Sequence, residues 1–301
     1  MSFRKHTYFF IIILSFLFFC QCRFSKEPDK NPEISSFDTL EVKVMTFNIR
    51  YGTANDGENH WNKRKNLVFK VFNDYDCDFV GVQEAMVFQI NEMIEALPQY
   101  SCFSRTRELD PELGEAVPVF FRTNRWALAD SGIFWLSDTP DSAGSTSWGN
   151  SLPRITTWVK FTEKLTGKTI VLYNTHLDHQ SQDSREQSTK LIVDHIAANC
   201  NKTDFLILTG DFNAYENNPA IKSLTSSSLD IQDTYRVVYP DEAELGTFNH
   251  WRGEKKGSRI DYIFTFNSVT VSSAEIIHDN LSGRYPSDHY PYHTILYKIY
   301  P

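Results

Sequence analysis

Four apolar stretches of this chain each lead directly to a polar residue capable of chemistry. "VKVMTFN" (Val42 to Asn48) ends on Asn48, and "DFVGVQ" (Asp78 to Gln83) is followed by Glu84. "TIVLYNTH" (Thr169 to His176) ends on His176 with Asn174 just before it, and "DFLILTG" (Asp204 to Gly210) leads into Asp211. Ligand and catalytic groups of α/β sheets gather beyond strand ends. One such coincidence means little, but four point to a shared cleft. "RIDYIF" sets Asp261 between apolar neighbours, where a lone carboxylate is costly to bury without a partner. "PSDHYP" places Asp288 beside His289 between backbone-restricting prolines, and "ELGTFNHW" offers Thr247 and Asn249 on a loop. In "LTGDFNA", Asp211 and Asn213 admit two readings. Both side chains bond local backbone readily and so cap turns; in an extended segment, positions i and i+2 also share a face.

The elements that must position these residues follow from periodicity. The four stretches are rich in Val, Ile, Phe and Thr and read as strands, as do "RITTWVKF", "RIDYIF", "VTVSSAEII" and "YHTILYKIY" in the second half. Leu67, Val68, Val71, Phe72 and Tyr75 have helical spacing after "WNKRK", and so do Leu191, Ile192, His195 and Ile196 after "SREQS". Mixed sheets covered by helices are the natural packing.

The 301 residues allow a sizeable core, and 41% apolar with 23% charged residues is ordinary for a globular protein. A net charge of −8 argues against a chain whose main task is gripping nucleic acid electrostatically. Arg4, Lys5 and His6 precede the apolar run Tyr8 to Cys20, which is shorter than the roughly 20 residues a bilayer-crossing helix needs. Basic start and short apolar run form the layout of an export signal over residues 1–22. Cys20 and Cys22 stand where a lipoprotein signal carries its lipidated cysteine, although the residues before each are bulky. We therefore expect an exported protein at the periplasm or cell surface, either cleaved without lipidation or held to a membrane by a lipid anchor. Residues 23–40, polar with two prolines, read as a tether, and residues 41–301 as one monomeric domain. Cys77, Cys102 and Cys200 form an odd set without metal spacing and read as structural.

"MTFNIR", "GVQEA", "NTHLDH", "TGDFNA", "RIDYIF" and "SDH" occur in the order seen in the endonuclease/exonuclease/phosphatase superfamily, which the chain resembles from about Val42 to Tyr297. "SGIFWLSDTP" with "THLDHQSQDSREQS" further resembles a bacterial branch that includes exported members. The resemblance implies a four-layer α/β sandwich, two mixed sheets face to face with helices outside. It implies that Glu84 and Asp288 hold a divalent metal, with Asn48 beside Glu84 binding metal, water or phosphate. Hard oxygen ligands favour Mg²⁺ or Mn²⁺. By the same resemblance His289 faces the scissile phosphorus and Asp261 orients its ring, which fixes the tautomer and raises basicity. Asp211 serves the nucleophilic water or the leaving oxygen. His176 and Asn213 hold phosphate oxygens as charge builds, Arg154 adds positive charge, and Asn174 and Thr247 join the substrate contacts. On this reading Asp211 and Asn213 share a face. The implied activity is hydrolysis of a phosphodiester or phosphomonoester by an activated water. A nuclease competes with an inositol-phosphate or phospholipid phosphatase, and a binding module without activity is the rival from another class.

His179, His195 and His250 read as surface or packing residues, and Asp178 as either a loop cap or a support for the site. Arg185 reads as structural. "WRGEKKGSR" (Trp251 to Arg259) and "NHWNKRK" (Asn59 to Lys65), where Lys63 and Arg64 begin a helix, are basic stretches that would touch substrate phosphate if they line the site, and are otherwise solvated. "EAVPVFFRTNRW" has Phe120 and Phe121 where relatives with a general acid offer Tyr, and leaves Glu115 as an acid without a secure role.

Overall fold

The computed structural model describes residues 39–201, 203–243 and 245–300, so the export signal and all but the last two residues of the 23–40 tether lie outside it. Those two, Thr39 and Leu40, are strand rather than tether: β1 spans Thr39–Asn48. Successive side chains on a strand point to opposite faces, and both faces of β1 are apolar. Leu40, Val42 and Val44 enter one core cluster, whereas Met45 and Phe47 enter another. A strand buried on both faces needs cover on both sides. A second sheet covers one side here and helices cover the other.

The first sheet runs, edge to edge, β13 (Thr270–Ile276), β14 (Tyr292–Ile299), β1, β2 (Phe79–Gln83), β6 (Val119–Arg122) and β4 (Tyr100–Phe103). The second runs β11 (Ile231–Asp233), β12 (Asp261–Phe266), β10 (Phe205–Asp211), β9 (Thr169–His176), β8 (Ile155–Glu163) and β7 (Trp126–Trp135). Both are mixed: β1 is parallel to β2 and antiparallel to β14, and β10 is parallel to β9 and antiparallel to β12. A small pair, β3 (Ala85–Met86) with β5 (Glu115–Ala116), stands apart. Helices α1 (Trp61–Tyr75) and α2 (Val87–Ala96) cover the first sheet through Val68, Phe72, Ile90 and Met93. Helices α3 (Gln182–Asn199) and α4 (Pro219–Thr225) cover the second through Ile192, Ile196, Ile221 and Leu224. A short α5 (Thr234–Val238) adds Tyr235 to the core between the sheets. This is the four-layer sandwich with helices outside.

Parity then does the positioning. Phe205 and Ile207 of β10 face the other sheet, as do Ile170 and Leu172 of β9, Phe79 of β2 and Ile263 of β12. The same parity carried onward brings Thr209 and Asp211, Asn174 and His176, Gln83, and Asp261 to that interface. Apolar packing therefore gives way along each strand to a polar layer and then to a cleft. In the polar layer Gln83 Nε2 donates to Thr46 Oγ1 (3.0 Å) and Asn174 Oδ1 (2.8 Å), and Thr209 Oγ1 donates to Asn174 Oδ1 (3.0 Å). The sheets approach so closely that a Cβ on Gly81 would lie 2.1 Å from Thr209 Oγ1, so only glycine fits.

Candidate active site

Register sets the catalytic row. Asp211 on β10 pairs with His176 on β9 and with Asp261 on β12, so three polar side chains lie abreast on three adjacent strands. His289 comes from the loop before β14. Its Nδ1 lies 2.9 Å from Asp261 Oδ2, and its Nε2 lies 3.7 Å from Asp211 Oδ2. Asp211 Oδ1 accepts from Asn213 N (2.9 Å), and its Oδ2 accepts from Asn48 Nδ2 (3.0 Å). Burial and the neighbouring Asp261 charge push the Asp211 carboxyl up to about 7. Burial alone would drive the His289 imidazole down, but Asp261, Asp211 and Asp288 outweigh it and lift it to about 10. The resting cleft thus holds a cationic His289 and an Asp211 that exchanges its proton near neutrality.

Glu84 stands between β2 and β3 with φ 60°, a conformation uncommon without glycine. That turn aims its carboxylate back at the end of β1, where Asn48 Nδ2 (3.0 Å) and Tyr51 N (3.1 Å) donate to it. The Arg50 guanidinium lies 4.0 Å from Glu84 Oε2 and 3.8 Å from Asp288 Oδ2. Asn48 Oδ1 accepts from Arg50 N (2.9 Å), and its NH₂ group bridges the carboxylates of Glu84 and Asp211; the oxygen keeps a second lone pair. Burial and then Glu84 raise the Asp288 carboxyl, with His289 and Arg50 opposing them.

On the facing side, Asn213 Nδ2 lies 3.0 Å from His176 Nε2 and donates to Leu177 O (3.1 Å). His176 stays neutral, because burial and the Arg154 and Arg107 charges push it well below the usual histidine range. A phosphate oxygen reaching either group must displace their mutual bond. Arg154 is buried, with Nε 3.5 Å from Asp178 Oδ2 and Nη2 3.0 Å from His179 Nδ1. Asp178 fills both parts weighed for it, since its Oδ1 also caps Gln180 N and Ser181 N. The whole forms a cleft of about 490 Å³, lined by Glu84, Asp288, Asp211, His289, His176, Asn213 and Arg154. Arg50, Tyr51, Arg107, Glu115, His179 and Phe248 share the lining without having been singled out as site residues.

Two expected substrate contacts are placed elsewhere. The Asn174 amide is spent between the sheets: Nδ2 donates to Val82 O (2.8 Å) and Pro118 O (3.0 Å), while Oδ1 accepts from Gln83 and Thr209. Thr247 Oγ1 accepts from Ile260 N (3.1 Å) and Asp261 N (3.3 Å), and its carbonyl accepts from Tyr290 N (2.7 Å). It therefore holds the backbones of Asp261 and of the residue after His289, a positioning part. Asn249 helps by donating to Ser287 O and by its own N–H to Asp288 O. In the basic stretches two arginines are likewise internal, whereas Lys63, Arg252, Lys255 and Lys256 are exposed. Arg64 is buried and donates to the carbonyls of Ile49, Arg50, Asn59 and Pro286, and Arg259 is buried against Asp233 and Glu216. Arg185 bonds Asp178 O and Gln182 Oε1. His195 packs against Phe134 and meets Tyr173 OH, and His250 is exposed.

A buried carboxylate, a histidine bonded to a second carboxylate and convergent cations share one cleft, an arrangement that suits a hydrolase of phosphate esters. The chain belongs to the endonuclease/exonuclease/phosphatase family, whose sequence profile matches residues 45–289. A solved family member from Bacteroides vulgatus is 32% identical with a TM-score of 0.79, covering 85% of this chain and 98% of its own. A mannosyl-6-phosphatase of Bacteroides thetaiotaomicron is 30% identical with a TM-score of 0.78, covering 85% and 99%. Nocturnin of Xenopus laevis is 24% identical over 85% of this chain and 72% of its own length.

The donor set fits a hard divalent cation. Glu84 and Asp288 present carboxylate oxygens on either side of Arg50, and each raises the other's need for positive charge. Asp211, Asp261 and His289 also bring one ligand atom each within 4.8 Å of one another. That second group is engaged internally through the His289–Asp261 bond, as Glu84 is through Asn48 and Tyr51. None of the free thiols Cys77, Cys102 and Cys200 lines the cleft.

Proposed function

We propose that this chain is a Mg²⁺- or Mn²⁺-dependent phosphomonoesterase acting on a small polyhydroxylated phosphate ester such as a hexose phosphate. The observation that carries this reading is the Asp261–His289–Asp211 array opening onto a compact cleft whose far wall holds Arg154, His176 and Asn213. The ion held by Glu84 and Asp288 would supply positive charge against the phosphate oxygens. Asp211, poised near 7, takes a proton from the attacking water as the bond from phosphorus to the sugar oxygen breaks; that oxygen is reprotonated from solvent. His289, oriented by Asp261, and Arg154 donate to the non-bridging oxygens as their charge grows. Asn213 Nδ2, freed from His176 Nε2, joins them as a donor.

The small ester is favoured over a nucleic acid strand for two reasons. Arg64 and Arg259 are consumed internally, and the exposed Arg252, Lys255 and Lys256 are not among the residues that line the cleft. The relative at 30% identity over nearly its full length acts on a mannosyl 6-phosphate, by its name. The test is phosphate release by purified protein with Mg²⁺ from mannose 6-phosphate, set against bis-p-nitrophenyl phosphate and oligonucleotides. The monoester should turn over fastest, and chelator should abolish the activity until metal returns. Faster diester or oligonucleotide cleavage, or full activity after exhaustive chelation, overturns the proposal. Action outside the cytoplasm, resting on the Arg4–Cys20 layout, belongs to the same reading; recovery of the native protein in the cytoplasmic fraction would remove that part.

A further inference from the structure

We infer that Arg107 and Glu115 form a hydroxyl-reading wall of the cleft, recognising the leaving group rather than the phosphate; this rests on the small-ester reading above. The two residues sit on an arm between β4 and β6. Arg107 N donates to Glu115 O (2.9 Å), Thr106 bridges Ala116, and Trp135 Nε1 donates to Arg107 O (2.7 Å). Glu115 pairs in turn with Met86, one residue from the strand turn that carries Glu84. The main chain is thus fixed to both sheets. The side chains meet fork to fork, Nη1 to Oε2 at 2.9 Å and Nη2 to Oε1 at 3.1 Å, and both line the cleft.

Three features separate this pair from a structural ion pair. A largely buried salt bridge is weak evidence of stabilisation, since desolvation consumes most of the attraction. Its hydrogen-bonding capacity is also only half used. A carboxylate accepts at about four sites, and the only hydrogen bonds the Glu115 carboxylate makes among the described residues come from Arg107. Arg107 Nε is buried without a hydrogen-bond acceptor. Finally, carboxylate charge offsets the guanidinium: Glu115 meets it fork to fork, and Glu108 Oε1 lies 3.7 Å from Arg107 Nε. A second phosphate arriving here would meet the Glu115 carboxylate, whereas a neutral diol finds fixed acceptors beside fixed donors. The chemistry selected is a polyol, not a second anion.

The experiment measures binding and turnover separately. Affinities of wild type, Glu115→Gln and Arg107→Met for mannose 6-phosphate and phenyl phosphate are read by calorimetry, and kcat/KM for both by phosphate release. Losing a hydrogen bond to a charged group costs about tenfold or more. Each variant should lower the preference for mannose 6-phosphate over phenyl phosphate at least tenfold, with KM rising more than kcat falls. Equal losses on both ligands overturn the inference, and so does a wild type that binds phenyl phosphate as tightly as mannose 6-phosphate. Should the variants fail to fold, the wild type alone decides: at least one of the 2-, 3- and 4-deoxy analogues should bind tenfold more weakly. Indifference across that series refutes the wall. Binding of mannose 6-phosphate without turnover would sink the proposed activity and leave the wall standing; turnover with an indifferent deoxy series would do the reverse.

Discussion

His289 and Asp261 act as one unit only if the 2.9 Å bond between them fixes the ring, and a double-mutant cycle tests that directly. His289→Ala removes the group that faces phosphorus. A positioned acid–base or charge-stabilising side chain contributes roughly 10²–10⁴-fold, so kcat should fall by at least about 10²-fold with KM nearly unchanged. Asp261→Asn keeps the shape but deprives the ring of its charged partner. Hydrogen bonds to charged groups are worth about 1.5–3 kcal/mol, which at 1.4 kcal/mol per decade is about 10- to 150-fold in kcat. The cost is bounded because Thr247 still holds the backbone at residue 261. The double variant should then be scarcely worse than His289→Ala, within about threefold, since residues acting as a unit are non-additive. Steady-state kinetics on mannose 6-phosphate, with circular dichroism to establish folding, supplies the four values. Multiplied losses in the double variant, or near-normal kcat in folded His289→Ala, refute the assignment.

Asn174→Ala removes four hydrogen bonds between the sheets, those of its Nδ2 to Val82 O and Pro118 O and those its Oδ1 accepts from Gln83 and Thr209. At about 0.5–1.5 kcal/mol net per hydrogen bond, it should cost roughly 3 kcal/mol by urea denaturation. KM of the folded fraction should stay put; a raised KM with normal stability would return Asn174 to substrate binding. His293, on β14, is pushed down to about 4 by burial and by Lys43, and its Nε2 has no hydrogen-bond partner. Glu275 opposite it on β13 and the Tyr75 ring are its other polar neighbours. Its folded value lies below its ordinary 6.5, so the unfolded chain binds the extra proton first. The stability it permits is therefore full above about pH 6.5 and is lost as pH falls toward 4. Between pH 7.5 and 5 wild type should lose about 2 kcal/mol more than His293→Phe, and parallel pH curves for the two proteins would exclude the effect.

Where the apolar pattern is long, the chain announces its elements. "TIVLYNTH" is β9 from end to end, and the strands read around Asn48, Gln83 and Asp211 begin or end within a few residues of their observed limits. The elements that escape notice lack a usable period. β7 is exposed from Ala127 to Asp130, with neither face of that segment buried, so these residues show no alternation. β11 has three residues and α5 five, shorter than one clear repeat of either pattern. Glu84, Asp288, His289 and Arg154 were singled out through the family resemblance, and the fold brings all four to one cleft. Arg107 was not singled out. Nothing local marks an arginine that a hairpin arm folds back onto Glu115, and pairing across such an arm is invisible to periodicity. Arg64 and Arg259 fail the opposite way, since a basic residue that caps buried carbonyls looks in sequence like one that waits for phosphate.

Asp211 and Asn213 show why two readings of one stretch can both be true. Extended geometry would have put both on one face, yet β10 ends at Asp211 and Asn213 has φ 47°. The side chain that reaches the cleft does so by leaving the strand, and the turn that allows it is closed by Asp211 Oδ1 accepting Asn213 N. The turn is thus part of the site. It fixes one oxygen of the carboxylate, leaves the other toward Asn48, His176 and His289, and swings the Asn213 amide beside His176. A carboxylate held this way has one free edge and one orientation, which is what a base must have to meet a water in line with the breaking bond.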